Sequence, residues 1–135
     1  MKSQLQIAVN IAEKAHCGQF RRDGITPYIE HPRQVADMLT YEDQKCVAWL
    51  HDVIEDTQMT MEDLGRMGVR PRIAIAVSAL TKREGMTYTN YLHQVKSNDL
   101  ATVVKIADML CNLLDSPTQK QIEKYKQGLM FLCLS

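Results

Sequence analysis

The chain has 135 residues, 45% of them hydrophobic, enough for one domain that buries a core without disulfide or metal staples. Lys plus Arg and Asp plus Glu both number 16, so the formal net charge is zero and no global basic field marks a dedicated nucleic-acid binder. No stretch approaches the roughly 18–20 apolar residues that span a membrane, and the opening residues carry no apolar signal region; a cytoplasmic protein without a membrane partner is expected. Cys17, Cys46, Cys111 and Cys133 are scattered without a CxxC pair, which fits reduced, packed thiols.

The periodicity is helical almost throughout. Leu5, Ile7, Ala8, Ile11, Ala12 and Ala15 recur at three- and four-residue steps and predict a first helix ending near Cys17-Gly18. A polar loop from Gln19 to Pro27 follows, with Arg21 and Arg22 in it. Pro32 suits the first turn of a second helix that turns Val35, Ala36 and Leu39 inward. Glu42 to about Ile54 makes a third, with Val47, Leu50 and Ile54 on one face. Thr60-Met61-Glu62-Asp63 resembles a capping box and opens a short helix stopped between Gly65 and Gly68. Pro71 starts another, in which Ile73 to Val77 is β-branched enough for a strand but has no period-two partner. Thr87 to Lys96, Asn98 to Leu114 and Pro117 to Leu132 complete an all-α bundle of seven or eight helices, a single domain over residues 1–135. The apolar end of the last helix (Leu129 to Leu132 and Leu134) suits a core or the interface of a homo-oligomer equally.

The most informative run is His51-Asp52-Val53-Ile54-Glu55-Asp56. A helical His-Asp pair offers a divalent ion one nitrogen and one oxygen, and Glu55 and Asp56 follow one turn later on the faces of His51 and Asp52. Acids at a helix C-terminus oppose the dipole, so either solvent or a function must offset them. Further ligands must come from other elements: His16, His31, His93 and Asp108 are the candidates. His31 precedes Pro32, so its backbone is expected to be extended, with the ring free to enter a cleft. Asp108 sits on an apolar helix, where a carboxylate needs a metal or a salt bridge to Lys105 or an arginine. His16 reads as a supporting histidine rather than a ligand, and His93 as a surface or packing residue.

The order His31, His51-Asp52, Asp108 resembles the H…HD…D signature of the HD superfamily of metal-dependent phosphohydrolases. The likeness extends to the Rel/Spo-type alarmone hydrolases through Ala15-His16-Cys17-Gly18-Gln19-Phe20-Arg21-Arg22-Asp23-Gly24, Pro27-Tyr28-Ile29-Glu30-His31-Pro32, Leu50 to Thr57, Ala79-Leu80-Thr81-Lys82 and Lys105-Ile106-Ala107-Asp108 with Asn112. These segments run in order from about residue 7 to 115. The resemblance implies an HD-type fold and a single divalent ion, usually Mn²⁺, on His31, His51, Asp52 and Asp108. Fe²⁺, Co²⁺, Ni²⁺ or Zn²⁺ are accepted by the same donors. It implies that Glu55 and Asp56 handle the attacking water and the proton, and that Arg21, Arg22, Lys105 and Asn112 contact a nucleotide. The implied reaction removes the 3′-pyrophosphate of guanosine 3′,5′-bis(diphosphate); other HD substrates (5′-nucleotides, cyclic nucleotides) and a weakly catalytic nucleotide-binding module are the alternatives. Met109 stands where the family commonly has arginine, and the segment from Pro117 is shorter than is typical, which implies a more open nucleotide pocket.

Overall fold

Side-chain caps set where most helices begin. In the computed structural model, which describes residues 2–134, Ser3 accepts from the Gln6 N–H and opens α1 (Gln4–Ala15) with a reciprocal capping box. It is followed by α2 (Glu30–Asp37), α3 (Glu42–Leu50), the single turn α4 (Val53–Asp56) and α5 (Met61–Arg66). Thr60 and Asp63 form the expected box at the head of α5. Pro71 occupies the first position of α6 (Pro71–Ala79), where the missing N–H costs nothing, so the β-branched run is helical. Thr87, Asn98 and Thr118 cap α7 (Tyr88–Lys96), α8 (Asp99–Leu113) and α9 (Gln119–Cys133) through their side-chain oxygens.

No strand occurs among the described residues; Phe20 and Pro27 make an isolated bridge that closes the polar loop between α1 and α2. The core gathers Val35, Val47, Leu50, Ile73, Val77, Val104 and Met109, all essentially inaccessible, with α3 packed against α1, α2, α6 and α8. That central position of α3 matters for function: its C-terminal end and the facing stretches of α2 and α8 meet beneath one surface cleft. No helix among the described residues is long and apolar enough to cross a membrane.

Four details depart from expectation. The third helix is not continuous to Ile54: Asp52, at φ −105° and ψ −1°, steps out of the helix, and α4 resumes after it. This interruption adds a segment, so that nine helical segments stand among the described residues where seven or eight helices were expected. His31 is not extended: α2 begins at Glu30, and Pro32 lies third in the helix, still within the turn whose N–H groups have no intrahelical acceptor. The last helix begins after Thr118 rather than at Pro117. Cys46 and Cys111 are buried free thiols as expected, whereas Cys17 and Cys133 are exposed because they fall at or beyond helix ends.

Candidate active site

Three buried side chains form the floor. α2 supplies His31, the end of α3 supplies His51, and α8 supplies Asp108, each nearly inaccessible to solvent. One ligand atom from each lies within 4.8 Å of the others. The His51 ring is oriented by its Nδ1–H, which donates to the Ala48 carbonyl at 2.5 Å. That bond leaves Nε2 as the nitrogen open to a proton or a cation. Nε2 then lies 3.0 Å from an Asp52 oxygen and 3.5 Å from an Asp108 oxygen, without hydrogen-bond geometry to a partner. The His31 Nε2 is 2.7 Å from the same Asp108 oxygen. Lone pairs on nitrogen and on two carboxylates converging in a buried space repel one another unless a proton or a cation lies among them. Two imidazole nitrogens and two carboxylates are the donor set of a borderline divalent ion, so the residues present fit such a metal.

The electrostatics point the same way. Burial alone would lower the His51 ring's proton affinity, but Asp52 and Asp108 outweigh it and raise it well above the ordinary range. Burial likewise opposes ionisation of Asp108, yet Lys105 and then His51 hold its carboxyl well below the usual range. Lys105 donates at 2.8 Å to the Asp108 oxygen that does not face the histidines. The sequence left metal and salt bridge as rival roles for Asp108; its two oxygens divide between them. Asp52 is held ionised against burial by His51, and its carboxylate accepts the Tyr28 hydroxyl.

Above this floor a cleft of about 330 Å³ opens, lined by His31, Asp52, Asp108, Glu55, Asp56, Arg21, Arg22, Lys105 and Asn112 of the residues singled out in the sequence, with His51 buried below it. Asp56 lies exposed at its edge; desolvation of its carboxyl, then Asp52 and Glu55, raise it to about 6. One oxygen of Glu55 accepts the Lys82 N–H at 2.6 Å, which ties α4 to the residues following α6. Asn112 donates to Asp108 at 3.3 Å. The two loop arginines reach the cleft but are not free. Arg21 pairs with Asp115 at 2.7 Å, while Arg22 donates to Gln121 at 3.0 Å and to the Asp115 carbonyl at 3.1 Å.

Tyr28, Gln121 and Tyr125 also line the cleft, and none was a sequence candidate for the site. Tyr28 carried a signal, its place in the run that ends at His31; Gln121 and Tyr125 carried none, because only packing of α9 brings them over the site. α9 therefore forms one wall of the cleft. Met109 is completely buried under that wall, and a Cβ on Gly128 of α9 would meet the Met109 Cε at 2.8 Å and the Tyr88 hydroxyl at 2.6 Å. Glycine at that position is what lets α9 lie this close. His93 is exposed and meets Phe131 edge-on at 4.7 Å, away from the site.

No protein-family model matches the chain. Individual proteins do. The human guanosine-3′,5′-bis(diphosphate) 3′-pyrophosphohydrolase MESH1 is 32% identical over 128 residues, which covers 84% of this chain and 69% of that protein. A probable GTP pyrophosphokinase of Mycobacterium leprae is 31% identical over 94% of this chain, which spans only 18% of that protein's length. Among solved structures, a metazoan ortholog of SpoT that hydrolyzes ppGpp superposes with a TM-score of 0.74 at 24% identity, over 98% of this chain and 83% of that one; this likeness bears on the fold.

Proposed function

Because the chain belongs to the family of guanosine-3′,5′-bis(diphosphate) 3′-pyrophosphohydrolases that includes MESH1, we propose that it is a metal-dependent phosphohydrolase of that same nucleotide, acting in the cytoplasm. Water and guanosine 3′,5′-bis(diphosphate) would give GDP and pyrophosphate: a water oxygen bonds to the phosphorus on the 3′ oxygen, the P–O3′ bond breaks, and the 3′ oxygen takes a proton. The observation that carries this reading is the His51 Nε2, buried without a hydrogen-bond partner against two carboxylates at the floor of a polar cleft.

His31, His51, Asp52 and Asp108 would hold the ion, for which Mn²⁺ is our choice among divalent metals. When bound, it supplies positive charge that acidifies a water and offsets charge on the phosphoryl oxygens. The chain's own residues do the rest. Asp56, at the edge of the cleft beside Asp52 and Glu55, is placed to exchange a proton with the water or the leaving oxygen. Glu55, held at one oxygen by the Lys82 N–H, keeps the other for orienting the attacking water. Arg21 and Arg22, fixed by Asp115 and Gln121, present guanidinium groups to the nucleotide, and Lys105 and Asn112 flank the reacting phosphate.

The test is pyrophosphate release from guanosine 3′,5′-bis(diphosphate) with added Mn²⁺ and with a chelator. Metal-dependent formation of equimolar GDP and pyrophosphate is expected. Mn²⁺ bound without release, or hydrolysis only of 5′-nucleotides or cyclic nucleotides, would overturn the substrate.

A further inference from the structure

One buried imidazole near the cleft has no role in the chemistry above. His16 caps the C-terminal end of α1 and is 3% exposed. Its Nδ1 lies 2.8 Å from the Gln19 side-chain oxygen, while the Gln19 amide nitrogen donates at 3.2 Å to the main-chain carbonyl of Asp56. A carbonyl only accepts, so that second contact fixes which end of the Gln19 amide is which. The amide oxygen must then face His16, and Nδ1 must carry the hydrogen. The remaining nitrogen, Nε2, is therefore an acceptor, and it is buried with no donor within reach. Buried acceptors are seldom left in this state without a purpose.

The surroundings say where that nitrogen acts. The His16 ring packs against Tyr28, with centroids 4.9 Å apart, and the Tyr28 hydroxyl donates to Asp52. On the other side, Gln19 reaches the main chain of Asp56, so a single relay runs from the turn carrying the two acids, through His16 and Tyr28, to the Asp52 carboxylate. Asp52 is the least buried of the four proposed ligands and sits at the break between α3 and α4, where no regular helix fixes its backbone. It is the ligand that most needs outside support.

We propose that His16 is a positioning residue for the metal centre: clamped by Gln19 as the Nδ1–H tautomer, it seats Tyr28 against Asp52, and its free Nε2 holds an internal water that hydrogen-bonds the Tyr28–Asp52 pair. The two hydrogens of such a water have acceptors at this spot: one would go to Nε2 and the other to the phenol oxygen or the Asp52 carboxylate. This inference rests on the reading of Asp52 as a metal ligand.

The experiment is Mn²⁺ titration of the full chain by calorimetry, in wild type, His16→Asn, Tyr28→Phe and the double variant. Asn keeps a donor for Gln19 and deletes the far nitrogen, so helical content and cooperative melting should survive. Partners behind a ligand typically govern metal affinity by about 10–100-fold, and a loss of about 10-fold or more is expected in each single variant. The double variant should lose little beyond either single one, because both act through Asp52. His16→Gln, which restores an amide near the Nε2 position, should recover part of the affinity and serves as the readout if Asn does not fold. Wild-type affinity in His16→Asn, or fully additive losses in the double variant, would overturn the inference alone. A wild-type chain that binds no Mn²⁺ would overturn the metal reading and this inference with it.

Discussion

The floor of the cleft and its rim are built by different forces. At the floor, His31, His51 and Asp108 project from helices whose other faces are the core itself, so their positions follow from the packing of Val35, Val47, Leu50 and Val104. At the rim, Arg21 and Arg22 belong to a loop and are held by polar contacts to Asp115 and Gln121, with the Asp115 carboxylate half exposed. Such contacts contribute little to stability in water, about 0–1 kcal/mol each. The contrast suggests a division of labour: a rigid base for the proposed ion, and a rim whose weak polar contacts aim the two guanidinium groups into the cleft for the proposed nucleotide.

The floor offers the largest effect. Asp52→Ala should abolish Mn²⁺ binding and turnover together, since a metal's several kcal/mol of transition-state stabilisation corresponds to about 10³-fold or more in rate. Calorimetry and pyrophosphate release on one preparation check both; retention of either would detach Asp52 from the ion. Glu55→Gln separates chemistry from architecture at the same depth. A glutamine oxygen still accepts the Lys82 N–H, so the fold and the bound ion should persist while turnover falls by about 10²-fold or more. Full activity in that variant would remove Glu55 from the reaction.

How much of each region could be read from the sequence follows from the same contrast. The floor was legible in part: His51-Asp52 stands at the end of an apolar face and Asp108 interrupts another, but joining them to His31, 77 residues before Asp108, took the resemblance to the HD signature and not the helical period. The break at Asp52 was not, since Val47, Leu50 and Ile54 continue the 3.6-residue period across it. Tyr28 belongs to the run that ends at His31, but nothing in the sequence directs it to the site, because a tyrosine in a polar loop is equally at home on a surface. The rim was opaque for a different reason: the Arg21–Asp115 pair joins residues 94 apart, a separation that no periodicity encodes. Met109, expected to leave the pocket open, instead lies beneath α9, and Gly128 makes that close packing possible.

At the rim, Asp115→Ala removes the carboxylate that pins Arg21. A released guanidinium samples more conformations, so KM should rise by about 2- to 5-fold with kcat nearly unchanged, and thermal stability should move by less than about 1 kcal/mol. Steady-state kinetics decide it. A loss of kcat comparable to that of Glu55→Gln would mean that the rim takes part in the chemistry and that the division of labour is false.

Asp56 stands between the two regions, and its effect is the smallest and the most dependent on pH. Its carboxyl is raised to about 6 by desolvation and by the charges of Asp52 and Glu55, whereas an unfolded aspartate titrates near 3.9. The native state therefore binds this proton more tightly than the unfolded state does. The associated stability is fully present below about pH 4 and is lost as pH rises through about 6. Asp56→Asn cannot ionise, so the metal-free variant should match wild type at pH 4 and exceed it at pH 8. Because the group is exposed, solvent screening limits the gain to about 1 kcal/mol. Denaturant melts in the presence of a chelator measure it. Adding Mn²⁺ should then close the gap, since a cation at the floor reverses the sign of the field that Asp56 feels. A variant no more stable than wild type at pH 8 would show that Asp56 faces solvent rather than the acidic floor, and its assignment as the proton carrier would fall with that result.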